Sequence, residues 1–311
     1  MKPLSFKSLK QMLDTLRTEE ECRVYLETLR WNGKPVCPHC GSISEHHYKL
    51  TQNGEFKGLY KCRDCKKRFT IRQGIMFEDS NLPLRTWFHA IYLVFISKKG
   101  ISSCQLAREL GVTQKTAWFM LQRIRHNMKD DIDFDDTTQV DETYIGGKTK
   151  RNKGGQGRST KQKIPVMGLL SKGKIHTRVI PNAGKDTLQG VIYNLIKEGM
   201  TVVTDGWKGY RGLGKKYKHK VVNHSKKIYV TKAGFHTNGI EGYWSILKRG
   251  IRGIYHLVSA KHLPKYLQEF AFRYNTRKQT DSDRFNDFLC GFTERLYYGE
   301  LLQKPEWLPI G

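Results

Sequence analysis

The stretch Gln139-Val140-Asp141-Glu142-Thr143-Tyr144-Ile145 decides the fold class, because it predicts a strand that opens the second half of the chain. After it, short apolar runs that predict strands alternate with longer amphipathic segments that predict helices. The predicted strands are residues 140–145, 164–170, 175–180 and 201–204, and the predicted helices are residues 186–198, 235–250 and 263–277. Strands followed by a crossover helix into another strand indicate an α/β fold, a mixed sheet with flanking helices.

Three carboxylate side chains occupy this pattern. Asp141 lies inside the first strand, Asp205 directly follows an apolar strand, and Glu241 lies in a predicted helix. The arrangement resembles an RNase H-type active site, whose carboxylates hold two Mg²⁺ ions, one activating the nucleophile and one stabilising the leaving oxygen. Mg²⁺ takes oxygen ligands and keeps several waters, so two or three carboxylates suffice, and Mn²⁺ is an alternative ion. Glu142 faces the opposite side of its strand from Asp141 and is predicted to be structural.

The helix that contains Glu241 carries further polar residues. Lys248 lies seven positions after Glu241, on the same helical face, where it is predicted to anchor a DNA phosphate near the metal ions. Arg249 beside it is a second predicted DNA contact. Asn238 lies one turn before Glu241 and projects in the same direction. This helix therefore combines candidate metal ligands with candidate phosphate contacts.

Two cysteine pairs predict a structural zinc site. Cys37 and Cys40 form one C-x-x-C pair, and Cys62 and Cys65 form a second after 21 intervening residues. Four thiolates on two tight turns make the tetrahedral sulfur site that Zn²⁺ prefers, and so short a segment cannot otherwise bury enough apolar surface to fold. Zinc would contribute the fold of this ribbon and no chemistry.

A helix-turn-helix is predicted between the cysteine pairs and the carboxylates. Residues 102–110 and 114–126 predict two helices separated by Gly111-Val112-Thr113, a tight turn that contains glycine. The second helix offers polar side chains for bases and phosphates, and the predicted DNA contacts on it are Lys115, Arg123 and Arg125. An ordinary three-helix bundle with a basic face is the alternative.

The charge balance favours a polyanionic partner. Lys and Arg total 55 against 29 Asp and Glu, which leaves a formal net charge of +26. Such a surplus suits nucleic acid, because neutralising phosphates releases counterions. The longest apolar run, residues 90–96, is far too short to span a membrane, and no signal peptide is visible near the N-terminus. We therefore expect no membrane association and a reducing, cytoplasmic location.

Basic and aromatic residues interleave between the second and third carboxylates. From Gly206 to Ile240 there are nine Lys or Arg and no acidic residue. Trp207 in this segment is predicted to stack on an unpaired DNA base, with a core position as the alternative. Residues 146–163, with seven basic residues and no acidic one, are predicted to form a mobile basic arm that orders on DNA.

The motifs together resemble bacterial insertion-sequence transposases with an N-terminal zinc ribbon and an ISXO-type DDE domain, over nearly the whole chain. Besides the cysteine pairs, the resemblance rests on Ser97-Lys98-Lys99-Gly100-Ile101-Ser102-Ser103, Lys115-Thr116-Ala117-Trp118-Phe119-Met120, Val140-Asp141-Glu142-Thr143-Tyr144-Ile145-Gly146-Gly147, Thr204-Asp205-Gly206, Asn238-Gly239-Ile240-Glu241-Gly242 and Phe270-Ala271-Phe272-Arg273-Tyr274-Asn275. The 35 residues between Asp205 and Glu241 match the interval of DDE recombinases. Because members of this group carry Glu or Asn as the third catalytic residue, Asn238 is the alternative to Glu241, which is favoured as the better Mg²⁺ ligand.

The resemblance implies a DNA transposase that binds the terminal inverted repeats of an insertion sequence, cleaves phosphodiester bonds with Mg²⁺ and transfers the strand to target DNA. Two ends must be brought together, so we expect a homodimer or larger assembly on double-stranded DNA. A non-catalytic DNA-binding regulator and an RNase H-like structure-specific nuclease are the alternatives. The predicted segments are N-terminal helices (1–30), zinc ribbon (31–75), helix-turn-helix domain (76–130), RNase H-like DDE domain (137–290) and C-terminal tail (291–311).

Overall fold

The computed structural model describes residues 3–129, 132–146, 163–223, 229–291 and 294–303. Most of the predicted basic arm, Lys226 and Lys227 of the basic segment, and much of the tail 291–311 therefore lie outside the described residues. The helices are α1 (Leu9–Thr15), α2 (Glu19–Trp31), α3 (Leu84–Ile96), α4 (Ser103–Leu110), α5 (Gln114–His126), α6 (Lys185–Leu195), α7 (Asn238–Gly250), α8 (Leu263–Asn275), α9 (Asp281–Cys290) and α10 (Tyr298–Leu302). The strands are β1 (Tyr48–Gln52), β2 (Glu55–Lys61), β3 (Arg68–Phe69), β4 (Thr138–Ile145), β5 (Ile164–Ser171), β6 (Lys174–Val179), β7 (Thr201–Asp205) and β8 (Lys218–Val222).

The chain divides into two compact units. The first comprises Met1–Met128 with Lys278–Glu300, and the second comprises Lys129–Arg277 with Leu301–Gly311. The predicted boundary at residue 290 differs from this division, because α9 belongs to the first unit. The apolar face of α9 explains the difference, since the Phe285 ring packs edge-on against those of Phe6, Phe88 and Tyr92. Burial of these aromatic rings stabilises α9 in the first unit, although α9 directly follows α8 in the chain.

The first unit builds its N-terminal part from short capped helices. Thr18 and Glu21 form a reciprocal capping box at the start of α2, as the sequence predicts. The small antiparallel sheet has the order β1-β2-β3 and packs against Trp31 at the end of α2, which contacts Tyr60 and Phe69. The cysteine-bearing segment therefore shares its limited core with α2.

Helix α3 forms the apolar centre of the first unit. Nine of its 13 residues are buried, which fits its strongly apolar composition. Helix α4 ends at Gly111, whose φ of 66° lies in the left-handed region, and Thr113 caps α5 by accepting from the Thr116 amide. Two helices joined by a tight turn are therefore present where the sequence predicts them. Among the described residues, none of the helices combines the length and apolarity that crossing a membrane requires.

The second unit is a five-stranded mixed sheet with helices on both faces. The strand order is β6-β5-β4-β7-β8, where β4, β5 and β6 are antiparallel neighbours and β7 and β8 run parallel to β4. One apolar cluster joins the sheet to α7 and α8, and a second joins its other face to α6. The α/β prediction is confirmed in this mixed architecture. Strand β8 is an addition, because the sequence predicts only a basic and aromatic surface for its residues.

The parallel pair β4 and β7 places the first two carboxylates. Thr138 pairs with Val202 and Gln139 with Val203, so continuing this register sets Asp141 beside Asp205. Neighbouring strands lie about 4.8 Å apart. Two residues that lie 64 positions apart in the chain therefore reach the same edge of the sheet.

Candidate active site and metal centre

Helix α7 brings the third carboxylate to β4 and β5, because the backbone of its first turn packs closely against side chains of both strands. The Ile240 amide donates to Gln139 Oε1 at 3.1 Å, which attaches the first turn of α7 to β4. A Cβ on Gly239 would lie 2.6 Å from Leu170 Cδ2, so the glycine lets α7 pack here without displacing the Leu170 side chain. Glu241 Oε1 accepts from Thr237 Oγ1 at 2.8 Å. Asn238 and Glu241 are both exposed in this first turn, so the structure keeps both near the site.

Trp244 orients Asp141, a contact that the sequence motifs do not predict. Its indole Nε1 donates to Asp141 Oδ2 at 2.9 Å, while its ring is buried. The ring lies over Gly168, the residue of β5 that pairs with Asp141, and a Cβ there would come within 2.7 Å of the ring. Gly168 therefore makes room for the indole that holds one oxygen of Asp141. The available signal was the position of Trp244, one turn after Glu241 on the same helix.

The electrostatics show that the carboxylates are close enough to repel one another. Burial, and then the negative charges of Asp205 and Glu241, raise the pKa of Asp141 to about 6, against the lowering effect of the Trp244 hydrogen bond. Burial lowers the pKa of Lys248, an effect that the nearby Asp141 charge partly offsets. The site is thus a partly desolvated cluster of negative charge with one lysine beside it.

A second buried carboxyl lies next to this cluster. Glu142 Oε2 accepts from the hydroxyl of the buried Tyr210 at 2.6 Å. Burial raises the pKa of Glu142 to about 7, and the charges of Asp141 and Asp205 act in the same direction. This hydrogen bond to the core supports the interpretation of Glu142 as structural, and it identifies Tyr210 as its partner.

The other predicted DNA contacts in this unit lie on its surface. Arg249 is exposed, and its Nε donates to the Ser245 carbonyl at 3.1 Å. Trp207 is 48% exposed; its amide donates to Asp205 Oδ1 at 2.9 Å, and its indole donates to the Ala183 carbonyl. Trp207 is therefore an exposed ring tethered directly to the second carboxylate, which contradicts the alternative that it belongs to the core.

Helix α5 presents fewer basic residues at its surface than the sequence predicts. Arg123 and Arg125 are only 4% and 1% exposed. Arg123 Nη1 donates to the carbonyls of Met76 and Glu78 at 2.9 Å, so it holds the segment before α3 in place. Lys115 is exposed near the start of α5. Of the three predicted contacts, the structure leaves Lys115 at the surface and buries both arginines, because the C-terminal half of α5 is packed into the unit.

The four predicted zinc ligands converge in the first unit. Their sulfur atoms all lie within 4.8 Å of one another, the only such group of three or more metal-ligating side chains among the described residues. Cys37 and Cys65 Sγ atoms are 3.7 Å apart, as are those of Cys40 and Cys62. A tetrahedral ion with bonds of about 2.3 Å requires sulfur separations of about 3.8 Å, whereas a disulfide requires about 2.05 Å. The geometry therefore fits Zn²⁺ and excludes the bonded pairs.

The two turns that carry these cysteines are preorganised by the backbone. Gly41 after the first pair and Lys66 after the second adopt φ values of 73° and 61°. Although burial acts in the opposite direction, hydrogen bonds from the backbone amides of Cys65 and Asp64 lower the pKa of Cys62 to about 6. Against a hydrogen bond from the Ser42 amide, burial and the neighbouring thiols raise the pKa of Cys40 in the same cluster to about 12, so zinc would displace that proton as it binds.

Comparison with known proteins gives two family matches. Residues 17–68 match a transposase zinc-ribbon domain of IS1595 type, and residues 134–275 match an ISXO2-like transposase domain. A protein of Halobacterium salinarum named "Uncharacterized protein in transposable element ISH50" is 28% identical over 283 residues, which cover 84% of this chain and 92% of that protein. No solved structure matches significantly. The first match contains all four cysteines, and the second contains all three carboxylates.

Proposed function

From the premise that the chain belongs to the insertion-sequence transposases with an IS1595-type zinc ribbon and an ISXO2-like domain, we propose that it cuts DNA at the terminal inverted repeats of its element and joins the ends to target DNA. The observation that carries this proposal is the parallel pairing of β4 with β7, whose continuation brings Asp141 level with Asp205, together with the hydrogen bond from Trp244 that ties Asp141 to α7. The strand order, with three antiparallel strands followed by two parallel ones, supports an RNase H-like catalytic domain.

Asp141, Asp205 and Glu241 would hold two Mg²⁺ ions, with Mn²⁺ as a substitute. The residues fit such ions, because burial and the like charges of Asp205 and Glu241 raise the pKa of Asp141, and bound cations would offset both effects. Bound ions would supply activation of the attacking oxygen and stabilisation of the leaving one.

The remaining side chains of the site position the DNA. Trp244 holds Asp141 in one orientation, so the other carboxylate oxygen faces the metal position without reorganisation. The half-buried ammonium of Lys248 lies within the electrostatic influence of Asp141, where it would bind a phosphate next to the cut. Trp207, exposed beside Asp205, would stack on a base near the scissile bond.

DNA recognition is assigned to the first unit. Gln114 and Lys115 at the exposed start of α5 would reach the major groove, the usual position for the N-terminal residues of a recognition helix. The zinc ribbon would add backbone contacts, and the net charge of +26 would support both. Because the reaction needs two ends at once, the active form would be a homodimer or a larger assembly.

A cleavage and joining assay tests the proposal. With Mg²⁺ and a duplex that carries the element's terminal repeat, wild-type protein should nick the repeat and produce a joined product with a target plasmid. Asp205→Ala should reduce both by about 10³-fold or more, because a metal ligand is lost. Equal cutting by wild type and Asp205→Ala would contradict the enzyme and leave a DNA-binding regulator. Cutting without a joined product would instead indicate a nuclease.

Separate alanine substitutions decide the third catalytic residue. Glu241→Ala should abolish cleavage, whereas Asn238→Ala should reduce it about tenfold or less, because a carboxylate is the stronger ligand for Mg²⁺. Both side chains are exposed in the same turn, so neither change should alter the melting temperature appreciably. Full cleavage by Glu241→Ala together with an inactive Asn238→Ala would reverse the assignment.

Trp244→Phe tests the positioning of Asp141. The ring stays but the indole N–H is lost, so the Mn²⁺ dissociation constant should rise about tenfold and cleavage should fall by a similar factor. Trp87→Phe is the matched control, because the Trp87 indole likewise donates to a side-chain oxygen, that of Ser80, in the other unit. Unchanged Mn²⁺ affinity in Trp244→Phe, measured by calorimetry, would contradict the positioning role.

A further inference from the structure

A groove of about 700 Å³ in the second unit lies beside the three carboxylates, and the proposed metal site assigns no role to it. One wall is the end of β4 from Glu142 to Gly146, and the other is the segment that follows α7. This volume lies within the range of roughly 300–1,000 Å³ that encloses a molecule of nucleotide size. The groove begins one residue after Asp141, so any occupant would sit beside the carboxylates.

The lining combines positive charge with apolar surface. Lys163, Lys248 and Arg252 supply the charge, and within the described part of the chain none of the three forms an ion pair. Tyr144 and Leu257 supply apolar surface and remain 37% and 67% exposed. Cations beside exposed ring and aliphatic surface fit a phosphate joined to a base, whereas the outside of a duplex offers mainly phosphates.

The wall after α7 has an unusual backbone. Residues Ile251–Tyr255 form a π-helix, and His256, which ends it and lines the groove, adopts φ 56° and ψ −54°. This conformation is unfavourable for a residue with a side chain. Tyr255 buttresses it from the other side, because its hydroxyl donates to Glu269 Oε1 at 2.7 Å and its ring packs on Tyr266. Strained turns and π-helices that are held in this way concentrate at functional sites.

We propose that this groove binds an unpaired nucleotide of the DNA substrate, with its phosphate on Lys248 and Arg252 and its base against Tyr144 and Leu257. The proposal rests on the transposase function and deepens it, because it specifies that the DNA next to the carboxylates is locally single-stranded. Unpairing there would free the scissile phosphate from the duplex and let it enter the carboxylate cluster.

The test compares a blunt 24-base-pair duplex with the same duplex carrying a three-nucleotide single-stranded tail at either the 3′ or the 5′ end. The full-length protein should bind one of the tailed duplexes about tenfold more tightly by fluorescence anisotropy, as expected for one stacked base. A 2-aminopurine in that tail should change its fluorescence on binding. The tail preference is the dissociation constant of the blunt duplex divided by that of the tailed duplex. Leu257→Asp and Tyr144→Ala should each bring this ratio close to one.

Ile246→Asp is the matched control, because Ile246 is also an exposed aliphatic residue, at 43%, but does not line the groove. It receives the same negative charge and should keep the tail preference. Wild-type protein without any tail preference, or a preference that survives in both groove variants, would overturn the proposal. These outcomes are independent of the proposed reaction, since binding is measured without Mg²⁺ and the reaction is tested by Asp205→Ala.

Discussion

Replacing Asp141 with asparagine is expected to abolish strand cleavage and, at the same time, to raise the melting temperature of the metal-free protein. Asparagine has nearly the same shape and can still accept from the Trp244 indole, so the local geometry is preserved. Cleavage should fall by about 10³-fold or more, because a neutral amide is a poor ligand for Mg²⁺. The free energy of unfolding should increase by about 1–3 kcal/mol, because a buried charge is removed.

The stability of the metal-free protein should fall as the pH rises, for the following reason. Burial and like charges raise the pKa of Asp141 to about 6, so the folded chain holds this proton more tightly than the unfolded chain. The stability that the protonated form contributes is complete below pH about 4 and is lost as the pH rises through 6. The melting temperature of metal-free wild type should therefore fall across this window more than that of Asp141→Asn.

Differential scanning fluorimetry with and without Mg²⁺ measures both effects. Mg²⁺ should raise the melting temperature of wild type at pH 7.5 and leave that of Asp141→Asn unchanged, because only the folded wild type binds the ion. Glu198→Gln serves as the control, since it neutralises an exposed carboxyl of the same unit that pairs with Lys216 and should shift stability by less than about 1 kcal/mol. A less stable Asp141→Asn, or one that still responds to Mg²⁺, would show that Asp141 is not a desolvated metal ligand.

Cys62→Ser should remove the zinc ion and unfold the ribbon. Zinc analysis should show one ion per chain in wild type and none in the variant, because three thiolates and a hydroxyl bind far more weakly. The core shared by Tyr60, Phe69 and Trp31 is too small to stay folded without the ion. Limited proteolysis should therefore cut the variant within residues 31–75, and its affinity for terminal-repeat DNA should drop at least tenfold.

Cys104→Ser is the matched control for this change. Cys104 is exposed and lies outside the four-cysteine group, so the same sulfur-to-oxygen replacement should keep the zinc content and the protease resistance of wild type. A full complement of zinc in Cys62→Ser would contradict the assignment of its sulfur as a ligand. Equal loss of zinc in both variants would point to a general effect of thiol removal.

The sequence alone determined the features that depend on residues close together in the chain. The spacing of the cysteine pairs predicts the four ligands, because two tight turns can present four sulfurs in only a few ways. The capping box at Thr18 and the turn at Gly111 predict where helices begin and end, because caps act within a few residues. The strand that contains Asp141 could be predicted for the same reason, from the residues of that strand alone.

Only the tertiary structure decided which side chains meet across the fold. No periodicity shows that α9 belongs to the first unit, or that Arg123 and Arg125 are buried, because packing partners distant in the chain determine both. The contact between Trp244 of α7 and Asp141 of β4 depends on Gly168, which lies on β5. Because Gly168 has no side chain, the indole ring has room to reach Asp141. Such contacts join residues far apart in the chain, so local sequence offers the candidate carboxylates but not the ring that orients one of them.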